Sequence, residues 1–250
     1  MLFFILKKEG SAVRKLLVLP LCLLIAGCAS MSDRAALARL SHVGVVAVTS
    51  NAAIGWVGEQ KSSPSLLNLL SNSGNGPTSG TGGILSRADD LIADADAALL
   101  ASLGKAGGVI LEDRDHVLGS KAYADVKESG EIGLVLLKPQ QYKFVKVTDE
   151  RLARGLASEL ALDGVVEASF QLDKTMKTGI GKNGVMGAEV ILTTTVADAS
   201  GRMVFTKSYT RISKTDVPVV AGIYDPRNLH EAFKAAFADA CADFAADFSH

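Results

Sequence analysis

The chain is sparing with the residues that usually announce a disulfide scaffold or a familiar active site. It has three cysteines, six prolines and one tryptophan in 250 residues, and aromatic side chains make up 6%. Three is an odd number, so Cys22, Cys28 and Cys241 do not suggest a disulfide framework. The basic residues do not collect in one stretch beyond the N-terminus, and the formal net charge is −1. Nucleic acid, which needs a clustered basic surface, is therefore not an expected partner. No C-x-x-C pair, no G-x-S-x-G elbow and no G-K-[ST] phosphate loop occurs. What is present is 48% hydrophobic and 21% charged residues, enough for one compact domain with peripheral segments.

The N-terminus carries the most specific signal. Lys7, Lys8, Arg14 and Lys15 precede the uncharged run LLVLPLCLLIAG, residues 16 to 27. That run falls short of the ~20 residues a membrane-spanning helix needs, and it fits the charged and apolar regions of an export signal. It ends in Ile25-Ala26-Gly27-Cys28, the aliphatic–small–small–cysteine order of a bacterial lipobox. Small side chains there admit the signal peptidase, and the thiol is presented to a diacylglyceryl donor at the membrane surface. Cys28 is accordingly expected to be the first mature residue and to carry the lipid, and two or three acyl chains suffice for stable anchoring. Ala29, in place of an aspartate, directs such a protein to the outer membrane, lipid-anchored on the periplasmic face. The apolar patch LFFIL and the length before Lys15 leave two expected translation starts, Met1 and one near Val13. The expected organisation is a signal peptide over 1–27, a lipidated tether over 28–41 and a single periplasmic domain over 42–250.

Within the domain, HVGVVAVT from His42 to Thr49 reads as a buried strand. Residues 58–83 are rich in Ser, Gly, Asn and Pro, the composition of a flexible insertion. Its leucines Leu66, Leu67, Leu69 and Leu70 are candidate partner contacts. A helix is expected from Arg87 to Gly104, capped by Ser86, its acids Asp89, Asp90, Asp94 and Asp96 forming a solvated face matched to the helix dipole. Asp94 and Asp96 diverge by about 200° on a helix, so they do not chelate one ion. Val109-Ile110-Leu111 reads as a short strand. It leads into Glu112, Asp113, Asp115 and His116, the one cluster suggestive of acid/base or metal chemistry, for which no second half is recognisable. Thr148 is the expected cap of a helix carrying Leu152, Leu156 and Leu160 as a core stripe. GVVEASFQLDK, AEVILTTTVAD and RMVFTKSYTR read as strands, the last two joined by a turn at Ala199-Ser200-Gly201. Asn228 and Glu231 form a capping box before a last helix, on which Phe233, Phe237, Cys241, Phe244 and Phe248 share one face. Cys241 is thus expected to be a buried, inert thiol.

GIGKNG, residues 179–184, satisfies G-x-G-x-x-G, but a strand-like segment follows it. A dinucleotide site requires a helix N-terminus there, so the glycines read as a hairpin turn and no nucleotide is expected. The fold class is α/β of the α+β sandwich kind: a mixed sheet with a C-terminal antiparallel hairpin, covered by about three amphipathic helices.

The segments VGVVAVTS, GGVILEDRD, LARGLASELALDGVVEASF and VILTTTVADASGRMVFTKSYT, with the closing amphipathic helix, give an order that resembles the anticodon-binding-domain-like fold. That fold is used by lipoproteins of the curli-secretion and penicillin-binding-protein-activator class. Residues 117–147 depart from the usual brief link. The resemblance implies a non-catalytic module that binds an envelope protein or itself, with no catalytic residue, no metal and no cofactor beyond the lipid on Cys28. The alternatives are a homo-oligomeric secretion-channel component, or an envelope hydrolase using Glu112 to His116.

Overall fold

The computed structural model describes residues 34–51, 54–58, 88–128 and 136–248. A short helix α1 (Arg34–Leu37) leads into β1 (His42–Asn51) and β2 (Gly55–Trp56). Then come α2 (Ala88–Leu103), β3 (Ile110–Leu111), α3 (Arg114–Gly119), α4 (Lys121–Asp125), β4 (Leu136–Leu137) and α5 (Glu150–Leu160). The C-terminal half is β5 (Gly164–Ile180), β6 (Asn183–Asp198), β7 (Met203–Ile212), β8 (Val217–Val219) and α6 (Pro226–Phe248).

One mixed sheet of eight strands holds these together, with the order β3-β1-β5-β6-β7. β1 lies parallel to both β3 and β5, whereas β5, β6 and β7 form antiparallel neighbours. β2 extends the β1 side along β5, and β8 extends the β7 side along β6. The architecture is the expected α+β sandwich. β1 is buried from Val43 to Ser50 because helices cover both of its faces, which is why it reads as an unbroken apolar run. β6 instead alternates buried and part-exposed residues over most of its length, the pattern of a strand covered on one face.

Two cores result, one per face. On one face α2 and α6 pack over Val45, Val48, Phe170, Val190 and Leu192; Phe170 meets Phe237 of α6 edge to face at 5.5 Å. On the other, α3, α4 and α5 pack over Val46, Ala47, Val165 and Ala197. A register shift between Val45 and Ala47 breaks the alternation of β1, so that the consecutive Val46 and Ala47 both face the second core while Val45 and Val48 face the first. The packed chain begins before the expected boundary: Ala36, Leu37 and Leu40 are buried in the first core, so the end of the expected tether belongs to the domain.

Three local expectations are corrected. The cap of α5 is Asp149, whose carboxylate accepts from Arg151 N and Leu152 N, and not Thr148. Helix α6 starts at Pro226, with Asp225 accepting from Arg227 N at 2.8 Å, so Asn228 and Glu231 lie inside it. Asp96 does not share a solvated face. It is 3% exposed and accepts from Tyr142 Oη at 2.9 Å and Arg114 Nη1 at 3.2 Å.

Candidate functional site

The acid–histidine cluster forms where β3 ends beside the start of β1. The Glu112 backbone N–H donates to Val43 O, which seats its side chain between two imidazoles. Its Oε2 lies 2.6 Å from His42 Nε2 and its Oε1 2.7 Å from His116 Nδ1. The hydrogen bond from His116, joined by that from His42 and by the charge of both rings, holds the Glu112 carboxyl below its ordinary range against a smaller opposing effect of burial. His42 Nδ1 faces Ala161 O at 3.2 Å, so both nitrogens of that ring meet acceptors.

The other acids have structural partners. Asp113 caps α3 by accepting from Asp115 N and His116 N. Asp115 meets Arg114 Nε at 3.2 Å. Asp96 is pushed above the usual carboxylate range by burial, with the Tyr142 and Arg114 hydrogen bonds opposing. Asp163 accepts from Ser41 Oγ and from the backbone N–H groups of Ser41 and His42, and the Ser41 hydroxyl leads in keeping it below its ordinary range. Ser41, His42 and Asp163 therefore do not form a Ser–His–Asp relay, because the serine bonds the aspartate and the histidine bonds Glu112. Among the described residues, no group of three His, Cys, Asp or Glu is arranged to hold a metal ion. A shallow groove of about 290 Å³ is lined by Val126, Lys127, Val145, Lys146, Thr148 and Asp149, away from this cluster.

The far end of the β5–β6 hairpin is a second candidate that the sequence did not reveal. Gly179 and Gly184, the outer glycines of GIGKNG, have φ of 125° and 142°. A Cβ on either would lie about 2 Å from a backbone oxygen of the facing strand. The glycines are thus required by the hairpin end, as its reading as a turn expects. A second turn, Val220 to Ile223, docks on the first: Gly222 N donates to Lys182 O at 2.9 Å and Ala221 N to Asn183 Oδ1 at 2.7 Å. Ile180, Val220 and Ile223 are 89%, 70% and 76% exposed. Behind them Lys174 Nζ lies 5.1 Å from the Trp56 ring centre and 5.5 Å from that of Tyr224, and Lys182 Nζ lies 5.8 Å from Trp56.

Among the described residues, the sheet's second face is covered at one end only. α5 and its neighbours pack over Val165 and Ala197. Farther along, the same face presents Ser169, Gln171, Ile191, Thr193, Ser208, Thr210 and Ile212, all half-buried or exposed, with Thr193 and Ser208 hydroxyls 2.8 Å apart.

Of the residues expected to matter, Cys28 with Ile25, Ala26 and Gly27, and Leu66, Leu67, Leu69 and Leu70, lie outside the described residues. No described helix is long and apolar enough to cross a membrane. Cys241 is buried at the α6 core face, and burial pushes its thiol up to about 12.

The class defined by these elements is an α+β sandwich with one extended hairpin. No family model matches the chain, and no curated protein matches it. A solved structure, that of the hypothetical protein CT253 from Chlamydia trachomatis, is similar over 84% of this chain and 93% of its own, at 11% identity and a TM-score of 0.32.

Proposed function

We propose that this chain is a bacterial envelope lipoprotein, held by lipid on Cys28 at the periplasmic face of the outer membrane. Its domain is a non-catalytic binding and assembly module that engages an envelope protein or further copies of itself. The anchor half of the reading rests on the lipobox Ile25 to Cys28. The binding half is carried by one observation, the one-ended cover of the second sheet face. Past Glu167 no described helix covers that face, which presents Ser169, Gln171, Thr193, Ser208 and Thr210 with Ile191 and Ile212 among them, whereas the opposite face is packed against α2 and α6. The acid–histidine cluster supports the same reading, since its carboxylates cap a helix, tie a loop or bridge histidines within the fold.

The test is capture of the full chain from cross-linked envelopes beside a Cys28→Ala form, with the mass of the Cys28 peptide determined. The expected result is a lipid-bearing Cys28, with one reproducible protein partner or a defined self-assembly that is lost in the unanchored form. An unmodified Cys28 would overturn the anchor. Metal-dependent hydrolysis abolished by His116→Ala would overturn the binding role.

A further inference from the structure

We propose that the hairpin end is a membrane-contacting tip whose partner is the surface of a phospholipid bilayer. Exposed apolar residues are concentrated there. Of six large hydrophobic side chains exposed among the described residues, Val57, Ile180, Val220 and Ile223 belong to this end, leaving only Ile110 and Ile212 elsewhere.

The order of chemistry along the tip favours lipid over protein. The exposed side chains of the tip are the aliphatic Ile180, Val220 and Ile223, together with Lys182 and Asn183 of the hairpin end. The two aromatic rings, Trp56 and Tyr224, are set back and half-buried against the first core. The ammonium of the exposed Lys182 lies at the level of the Trp56 ring, whereas Lys174, beside both rings, is only 9% exposed. Aliphatic side chains at the end, with Trp, Tyr and the Lys182 ammonium set back together, match a bilayer, in which hydrocarbon lies inside while aromatic rings and snorkelling lysines share the interface. A protein hot spot inverts this, because there the Trp, Tyr and Arg side chains are the exposed anchors that enter the partner. A fluid bilayer accommodates exposed aliphatic side chains without a matching pocket. Both turns are pinned to each other by backbone hydrogen bonds, so insertion orders no loop.

Few aliphatic residues and one outward lysine give only weak, reversible attachment. A weak contact becomes useful when a second attachment supplies effective concentration. In this respect the inference rests on the proposed lipid anchor. The chain enters the domain through Ala36, Leu37 and Leu40, and Leu40 lies against Gly164 at the start of β5. The tip lies 17 residues away along that strand, about 50 Å at the rise of an extended chain. The proposed lipid and the tip then give the chain two attachments to one membrane.

Trp56 is the sole tryptophan of the chain, so its emission reports the tip and not the anchor. The full chain, reconstituted into vesicles of phosphatidylethanolamine and phosphatidylglycerol, is compared in unlabelled and acyl-brominated lipid. Expected are a shift of emission to shorter wavelength and quenching by the bromines of about twofold or more. Both effects are lost in Ile180→Asp/Ile223→Asp, whose changes are at exposed sites and leave the far-ultraviolet circular dichroism intact. Lys182→Glu, also exposed, weakens quenching and does so more in phosphatidylglycerol than in neutral lipid. Absence of bromine quenching, with Trp56 as open to aqueous iodide as without vesicles, overturns the proposal. So does an emission shift that follows protein density and is indifferent to brominated lipid, which would place a second copy on the tip. The mass of the Cys28 peptide is scored separately: quenching with an unmodified cysteine keeps the tip and removes the anchor, and a lipidated cysteine without quenching does the reverse.

Discussion

Glu112 receives an imidazole on each carboxylate oxygen, and its affinity for a proton is depressed in the fold. The folded value lies below the ordinary 4.5, so the stabilisation is fully present above that pH and is lost as the pH falls through the folded value. Glu112→Gln is therefore expected to lower the thermal midpoint at neutral pH. The cost is at most about 1 kcal/mol, since His116 is exposed and solvent screens its pair. The difference between the two proteins closes on acidification below the folded value, and melting curves across pH 3 to 7 check it; a gap independent of pH would sink the account. Cys241 makes the contrasting case. Its thiol is fully buried among Phe233, Phe237 and Phe244, on the stripe that the helical spacing marked as apolar. A serine there buries a hydroxyl in apolar surroundings, and Cys241→Ser is expected to lose about 2 kcal/mol, against a smaller loss for Cys241→Ala. Denaturant titration of the two variants decides this, and equal losses would show that polarity is not the cause. Cys241 was legible because a single helix face places it. Asp96 was not: the helical pattern put it on a wet face, whereas Tyr142 and Arg114 reach it from segments whose positions no local period encodes.

Elements follow the sequence closely in kind and less closely at their ends. The expected strand from His42 and the expected last helix are both present, but their neighbours chose the caps. Asp149 took the role read for Thr148 one residue earlier, and Asp225 with Pro226 took that of Asn228. Two adjacent capping residues have nearly equal intrinsic merit, so packing settles which one serves. The tip cluster was illegible for a stronger reason. Trp56, Lys174 and Tyr224 are far apart in sequence and meet only because β2 runs parallel to β5 and because the chain returns after β8. Packing also reverses propensity in α5. Gly155 sits inside that helix, where alanine would ordinarily gain about 1 kcal/mol. A Cβ at Gly155, however, would lie 2.8 Å from Ala122 Cβ of α4, which has no flexible end to yield. Gly155→Ala is expected to destabilise by about 1 to 2 kcal/mol through overpacking, with Ala122→Gly recovering part of the loss when combined with it. Urea denaturation of the single and double variants tests the contact; a stabilised Gly155→Ala protein would show that α4 moves aside freely.

At the scale of the molecule, the two cores are not independent because the same strands line both. β1 gives Val45 and Val48 to the core under α2 and α6, and Val46 and Ala47 to the core under α5. β5 divides its residues in the same way, Phe170 to the first and Val165 to the second. Loss of either core exposes one side of strands that the other core needs, so the described domain is expected to unfold in one cooperative step. Leu156→Ala on α5 and Phe237→Ala on α6 remove fully buried side chains from opposite faces, and each is expected to cost about 3 kcal/mol. Two probes read the coupling: far-ultraviolet circular dichroism follows helices on both faces, and Trp56 emission follows the hairpin side packed against the first core. Under a shared sheet, Leu156→Ala shifts the Trp56 transition as far as the dichroism transition, although α5 belongs to the other core. A Leu156→Ala protein whose Trp56 transition stayed in place while part of the helical signal melted early would establish two separable layers, with the membrane-facing hairpin able to outlast the loss of α5.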